Sequence, residues 1–293
     1  MLILRVLIQT NLFIAIAAVC FLLSNAYLLE LPINHLKEVI LLVFSSTWLV
    51  YQFSRWFYFK KDAYTHKNDS VFHYMEKYPI INNILLIVAA ILVFISVFFI
   101  HKNVLYFLFI VGCISFLYPI PIIKYQSKWI KLREIPFIKL FLIAGVWSVA
   151  CIILPIVELN IWQDFPTRNV LLFITQFVFI LFITLPFDMN DFPYDKAVGV
   201  KTIPTVFGIK TSQMILLILW LIQLVLWILF FSTFSSITIQ HITIGIAYML
   251  LNTFLLVYTK KKITTINKEQ VKYIYDGSMI VQFLITFLVF RWM

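Results

Sequence analysis

The chain has 293 residues, of which 62% are hydrophobic and only 12% are charged, and its formal net charge is +10. This composition excludes an ordinary soluble domain and indicates an integral membrane protein. A basic face laid against anionic lipid headgroups accounts for the charge, so the predicted partner is the lipid bilayer and not nucleic acid.

Nine apolar runs predict the transmembrane helices, since about 20 apolar residues cross the hydrocarbon core as a helix. The runs are Val6–Leu29, Val39–Phe53, Ile80–Ile100, Val104–Ile123, Ile135–Val157, Asn169–Phe187, Ser212–Phe231, Ile239–Tyr258 and Gly277–Phe290. The second and the last are short, and we expect them to extend into flanking residues or to tilt less. The predicted fold is an all-α membrane protein with one domain over residues 1–293.

A signal peptide is the alternative interpretation of the first run, because Arg5 precedes its apolar stretch. That stretch is longer than the apolar region of a signal peptide, and the segment 24–26, Ser-Asn-Ala, is a poor cleavage site. The first run is therefore predicted to be a retained helix.

The lysines and arginines predict the orientation, because short loops rich in these residues stay on the cytoplasmic side. With the N-terminus in the cytoplasm, all but four of the 23 lie on that side. The exceptions are Lys37, Lys102, Arg168 and Arg291. We therefore predict a protein of the bacterial inner membrane, with its C-terminus on the face opposite the N-terminus.

The centres of the nine runs contain no Asp, Glu, Lys or Arg. Ion-coupled transporters usually keep such groups along their pathway. The sequence thus disfavours a proton or sodium pump and predicts polar chemistry at the cytoplasmic ends of the helices.

One of these ends holds three acids in eight residues. In "LPFDMNDFPYDKAVGVKTIPTVFG", residues 185–208, Asp188, Asp191 and Asp195 follow the sixth apolar run. Offsets of three, four and seven residues place side chains on one helical face, so the carboxylates are expected to converge. Mg²⁺ would relieve their repulsion, and it typically binds one or two carboxylates together with substrate phosphates. The spacing thus favours a magnesium site for a diphosphate, with Lys196 and Lys201 close in sequence to neutralise charge.

Two alternatives stay open on spacing alone. Pro193 tends to kink or end a helix, which would put Asp195 on a turn. Acids mixed with lysines at the end of a helix are also common in solvated loops.

The segment "DMNDFPYDKAVGVKTIPTVFG" resembles the second aspartate-rich motif of the UbiA superfamily of intramembrane prenyltransferases, which reads roughly DxxDxxxDxxxGxxTxP and then a Gly. The matching residues are Asp188, Asp191, Asp195, Gly199, Thr202, Pro204 and Gly208. "LYPIPIIKYQSKWIKLREIPFIKLFLIAGVW" after the fourth run and "YDGSMIVQFL" at the ninth also resemble family members. The resemblance covers nearly the whole chain and implies a UbiA-type bundle of nine helices.

The resemblance also implies an activity. In this family, Mg²⁺ and basic residues draw the diphosphate away from an isoprenoid, and the allylic carbocation-like centre alkylates an aromatic or other hydrophobic acceptor. For this chain it implies Asp188, Asp191 and Asp195 as metal ligands, with Asp191 and Asp195 acting in catalysis. The predicted diphosphate contacts are Arg55, Lys124, Lys128 and Lys201.

The first aspartate motif departs from the family pattern, which reads about NDxxDRxxD after the second helix. The corresponding stretch here is "VYQFSRWFY", and it retains only Arg55. Val50, Tyr51, Ser54 and Tyr58 stand where the family has one Asn and three Asp. Half of the metal ligands implied by the family are therefore replaced.

Asp62 and Asp69 are possible substitutes, but they lie in a stretch that reads as a mobile charged loop. Two functions stay open. One is a divergent Mg²⁺-dependent prenyltransferase acting on an isoprenoid diphosphate and a lipid-soluble, aromatic acceptor. The other is a catalytically inactive member of the same family that serves as a lipid-binding or assembly subunit.

Overall fold

The structure is a computed structural model that describes residues 2–61, 70–125, 128–132, 135, 137–161, 166–263 and 265–292. Helices make up 84% of it, which confirms the all-α class. In chain order they are α1 (Leu2–Gln9), α2 (Leu12–Leu28), α3 (Lys37–Lys61), α4 (Ser70–Lys77), α5 (Pro79–Val97), α6 (Lys102–Leu117), α7 (Ile138–Ser148), α8 (Leu154–Glu158), α9 (Thr167–Asn190), α10 (Phe192–Val198), α11 (Ile203–Phe231), α12 (Ile239–Lys262), α13 (Lys268–Tyr275) and α14 (Gly277–Trp292).

Three shorter elements complete the described chain. A 3₁₀ turn, Ile33–His35, precedes α3, and a π-helical segment, Val149–Ile153, joins α7 to α8. Strands β1 (Pro121–Tyr125) and β2 (Lys128–Lys131) form an antiparallel hairpin between α6 and α7.

Six helical segments in the described part of the chain are long and apolar enough to cross a membrane, and a bent pair adds a seventh. They are Pro79–Val97, Ile138–Glu158, Thr167–Asn190, Ile203–Phe231, Ile239–Lys262 and Lys268–Trp292, and the bent pair is Ile3–Gln9 with Leu12–Leu28. The second and fourth predicted runs lie on α3 and α6, outside this set. Nine spans and a cytoplasmic N-terminus stay predictions.

The first predicted run is not one continuous helix, because the chain bends by 89° between α1 and α2. Asn11 occupies the left-handed region at φ 59°, which asparagine tolerates better than most residues. The break frees the carbonyl of Thr10, and the indole N–H of Trp48 on α3 donates to it at 2.9 Å. A partner from a neighbouring helix thus makes the bend compatible with burial.

The fourth predicted run is also shorter than expected. It was predicted to continue to Ile123, but α6 ends at Leu117 and β1 begins at Pro121. Proline removes a backbone donor and clashes with the preceding turn, so Pro119 and Pro121 explain the change from helix to hairpin.

Helix α9 lies at the centre of the bundle and α5 at its periphery, since they are the most and the least buried of the six candidate spans. The ring of Phe179 on α9 stacks on Phe21 of α2, with their centroids 5.8 Å apart. Trp147 on α7 meets Phe21 edge-on at 6.5 Å. The core therefore joins the second, seventh and ninth helices through aromatic contacts.

Buried polar side chains also link the helices. The amide of Gln176 on α9 donates to Asn25 on α2 at 2.7 Å, and the hydroxyls of Ser24 on α2 and Tyr248 on α12 share a hydrogen bond of 2.6 Å. Such bonds between helices stabilise bundles in which lipid gives no hydrophobic driving force.

Large apolar side chains cover the outer faces of the bundle. Ile84, Ile91, Phe94 and Phe98 on or just after α5 are each more than half exposed. Exposed apolar surface of this extent marks contact with another apolar phase, which for helices this long is the bilayer.

Candidate active site

A cavity of about 420 Å³ opens inside one end of the bundle. Its lining comes from the C-terminal halves of α3, α6 and α9, from the N-terminal parts of α2 and α14, and from residues along the length of α7. Consecutive long helices run in opposite directions, so these parts meet on one side of the bundle. The volume lies within the roughly 300–1,000 Å³ typical of small-molecule sites.

Five charged side chains line this cavity in the described residues. They are Arg55 on α3, Lys139 in the first turn of α7, Asp191 directly after α9, Lys272 on α13, and Asp276 between α13 and α14. Three are cationic and two are anionic, so the lining carries an excess of positive charge. This suits an anionic group such as a phosphate.

The rest of the wall is mainly apolar and aromatic. It includes Val50, Ile143, Val146, Trp147, Ile180, Ile183 and Phe187, and the phenols of Tyr51 and Tyr118. A ligand with an anionic head and a hydrocarbon tail would match both parts of the lining.

The second aspartate motif spans a helix break. Helix α9 ends at Asn190, Asp191 adopts the capping position, and Pro193 lies in the first turn of α10. Asp195 is therefore on a separate short helix, where it is 8% exposed. The break follows from the restricted backbone of proline, which begins helices well but interrupts them elsewhere.

The acids of the motif have different partners. Asp188 is 1% exposed, and its carboxylate accepts a hydrogen bond from the ammonium of Lys139. Asp191 forms an ion pair of 2.9 Å with Lys268 on α13, and both side chains are partly exposed. Asp191 is the motif acid that lines the cavity.

Asn190, between two of these acids, ties the motif to the start of α13. Its side-chain amide donates to the carbonyls of Ile263 and Ile266, both at 3.0 Å. These bonds hold the segment before α13 against the end of α9. They explain how Lys268 reaches Asp191.

The remaining motif residues have backbone roles. Gly199 ends α10 in the left-handed region at φ 75°, and Gly208 kinks α11 at φ 82°. The backbone N–H of Thr202 donates to the hydroxyl of Thr205 at 2.7 Å at the start of α11, and Pro204 lies in the first turn. The Gly, Thr and Pro positions therefore build the turn that follows the acids.

The structure brings four positions of the first motif to the cavity. Val50, Tyr51, Ser54 and Arg55 all line it. The substituted positions thus face the same space as Asp191. The side chain of Tyr58, and all of Asp62 and Asp69, lie outside the described residues.

The predicted diphosphate contacts are not all gathered at one place. Arg55 lines the cavity, and one of its N–H groups donates to the carbonyl of Ile8 at 3.2 Å. Lys124 on β1 and Lys201 before α11 are exposed and are not among the described lining residues. Lys128 begins β2, and its side chain lies outside the described part of the chain.

Sequence analysis missed three of the lining charges. Lys139 and Lys272 were counted only as cytoplasmic cations, and Asp276 was noticed only as part of "YDGSMIVQFL". Lys139 carried a usable signal, because it is a lone cation within an apolar run. The signal at Asp276 was an acid directly before a helix that begins with Gly277.

The described residues contain no group of three or more His, Cys, Asp or Glu side chains placed to hold a metal ion. Mg²⁺ needs fewer protein ligands than this, because it keeps several waters and takes oxygens from substrate phosphates. Asp191, which lines the cavity, fits such an ion only where a phosphate and waters complete its ligands. The burial of Asp188 against Lys139 does not fit a preformed cage built from all three motif acids.

These features define an apolar helical bundle with an amphiphilic cavity at one end, and the sequence comparisons name its family. The sequence profile of the UbiA prenyltransferase family matches residues 82–273. The chain therefore belongs to the UbiA prenyltransferase family. A search of curated proteins returned no match.

Solved structures of similar fold include a UbiA homologue from Aeropyrum pernix K1 in its apo form, with 12% identity and a TM-score of 0.71, covering 94% of this chain and 98% of that one. A UbiA homologue from Archaeoglobus fulgidus bound to GPP and Mg²⁺ has 16% identity and a TM-score of 0.64, covering 97% and 99%. The same homologue has also been solved with DMAPP and Mg²⁺. The match confirms the UbiA-type fold.

Proposed function

We propose that this protein is an intramembrane prenyltransferase that moves an isoprenoid group from its diphosphate to a lipid-soluble, aromatic acceptor. The observation that carries the proposal is the cavity, in which five charged side chains occupy the same end of the bundle as an apolar and aromatic wall. A homologue of the same fold binds GPP and Mg²⁺, which supports a substrate of this class.

In the proposed reaction the carbon–oxygen bond to the diphosphate breaks, a bond to the acceptor carbon forms, and that carbon loses its proton to the departing diphosphate. Arg55 and Lys272, which line the cavity, neutralise the charge that develops on the departing diphosphate. Mg²⁺, when bound, adds to this neutralisation. The apolar wall holds the hydrocarbon chain and excludes water, and the aromatic rings of Trp147 and Tyr51 in that wall favour an allylic cation.

Of the three metal ligands that the second motif predicts, Asp191 is the one that we propose in the arrangement of this structure, and the other two would have to rearrange. Asp191 lines the cavity and forms an ion pair with Lys268. To bind a metal ion it needs only to give up this ion pair or to share its carboxylate between Lys268 and the ion. Asp188 would have to leave Lys139. Asp195 would have to reach the cavity from α10.

A second candidate is an inactive family member that binds a lipid or serves an assembly. The observation that favours it is the placement of Val50, Tyr51 and Ser54 at the cavity wall, where the family has metal-binding residues. This function requires the fold and the apolar wall but not Asp191.

Purified protein in lipid discs, given isoprenoid diphosphates of several chain lengths, an aromatic acceptor and Mg²⁺, tests the proposal. We expect release of diphosphate together with a prenylated product. We expect Asp191→Asn to lower the rate about 100-fold through lost electrostatic stabilisation. The matched control is Glu76→Gln, an exposed acid on α4 outside the described lining, which should leave the rate unchanged. No turnover with any chain length would favour the inactive member.

A further inference from the structure

We propose that Lys139 is a diphosphate-binding residue, which the buried carboxylate of Asp188 holds at the cavity wall. This inference rests on the proposed function and deepens it. In the family, the first motif binds metal ions that neutralise the diphosphate. The inference assigns part of this role to the amine of Lys139.

The ion pair between these residues is asymmetric. The side chain of Asp188 is 2% exposed and that of Lys139 is 24% exposed. Lys139 lines the cavity, whereas Asp188 is not among its described lining residues. The ammonium of Lys139 therefore borders the cavity, and the carboxylate of Asp188, the first acid of the motif, lies behind it.

The ammonium retains the capacity to bind a second anion. It has three N–H donors, and Asp188 accepts one of them. Lys139 lines the same cavity as Arg55 on α3 and Lys272 on α13, so cations from three helices border one space. Ammonium groups bind phosphate oxygens through charge-assisted hydrogen bonds, and the inference assigns this role to Lys139.

The residues at the first motif give a reason why a cation is needed in this cavity. Tyr51 and Ser54 stand at the cavity wall where the family has carboxylates, and neither can recruit a divalent ion as a carboxylate does. A diphosphate still has to be neutralised there. Lys139 provides a positive charge in the same cavity without any metal.

A purely structural role for Lys139, as the counter-ion of Asp188, is the rival explanation. Lys139→Met alone would leave a buried carboxylate unpaired and could unfold the protein. The double variant Lys139→Met with Asp188→Asn removes both charges and keeps the fold testable. Lys139→Arg keeps the positive charge and serves as the conservative control.

The test measures binding of geranyl diphosphate to the purified protein, once with Mg²⁺ and once with EDTA, after thermal unfolding has established that each variant is folded. We expect wild type and Lys139→Arg to bind in both conditions. We expect the double variant to bind about 10- to 100-fold more weakly, with the larger loss in EDTA, as for a lost hydrogen bond to a charged group.

The other outcomes distinguish a failure of the inference about Lys139 from a failure of the proposed function. Equal affinity of the double variant and wild type overturns the inference, as does wild-type binding that needs Mg²⁺. A loss confined to the Mg²⁺ condition also overturns it, because that result makes Asp188 a metal ligand. An absence of wild-type binding in both conditions overturns the proposed function together with the inference.

Discussion

At the scale of single residues, the cavity wall departs from the first motif that the resemblance predicts. The resemblance predicts an aspartate where Ser54 stands, next to the predicted Arg55. Both line the cavity with Asp191. Because the positions still face the site, the difference lies in chemistry and not in geometry.

Restoring one acid tests this view. We expect Ser54→Asp to lower the Mg²⁺ concentration needed for half-maximal diphosphate release by about tenfold, since a carboxylate there adds roughly 1.4 kcal/mol of attraction for the ion. Arg55 beside it offsets part of the cost of the new charge. The measurement is a Mg²⁺ titration of activity.

The control for this titration is Ser232→Asp, which adds the same charge at the exposed end of α11, away from the described lining. An equal decrease in the half-maximal Mg²⁺ concentration in the two variants would mean that the added net charge causes the effect. An unchanged titration for Ser54→Asp would contradict a metal site at this wall.

At the scale of the elements, helix breaks arrange the site. Asp191 lies where α9 ends, Asp276 lies between α13 and α14, and Asn190 fastens the segment before α13. Gly208 adds a kink within α11, after the second motif. The breaks at Asp191 and Asp276 place these two acids in the lining of the cavity.

Because α11 is kinked at Gly208, we expect replacement by alanine to affect stability differently at Gly208 and at Gly112. A Cβ at Gly208 would meet open space, so only the left-handed backbone opposes Gly208→Ala, and we expect a loss of about 1–2 kcal/mol in the free energy of unfolding. Gly112, in α6, also has open space but lies in regular helix. We expect Gly112→Ala to be neutral or to stabilise by about 0.5–1 kcal/mol.

Thermal and denaturant unfolding in the same detergent compares these two variants. A similar effect at both positions would mean that the kink at Gly208 does not require a glycine. Straightening of α11 without loss of stability would lead to the same conclusion, and distance measurements between spin labels on its two halves would detect it.

At the scale of the whole molecule, the predicted topology places the cavity residues and most lysines and arginines at the same end of the bundle. The predicted orientation puts this end in the cytoplasm. Lys261, at the end of α12, and Lys102, at the start of α6, are both exposed and are predicted to lie on opposite faces.

Labelling tests the orientation. In a background without Cys20, Cys113 and Cys151, we expect a membrane-impermeant thiol reagent to label Lys102→Cys in intact cells. We expect Lys261→Cys to react only after the membrane is permeabilised. The reverse pattern would place the cavity end outside, and labelling of both from outside would contradict an odd number of spans between these two positions.

The sequence by itself determined the class of protein, the helical positions of the apolar runs and the second motif. These properties depend on composition and on residues close together in the chain, such as Pro193 and Gly199, whose backbone preferences act locally. The same local signals did not reveal the bend at Asn11, because its freed carbonyl depends on Trp48 from another helix.

Only the tertiary structure decided which charges meet. Asp188 pairs with Lys139, 49 positions away, and Asp191 pairs with Lys268 on a helix much later in the chain. Asp276 reaches the cavity because α13 packs against α9 and α14 packs against α2, and both of these helices line it. Linear order does not contain these contacts, since they arise from the way in which separate helices pack and from the burial that selects a partner for each charge.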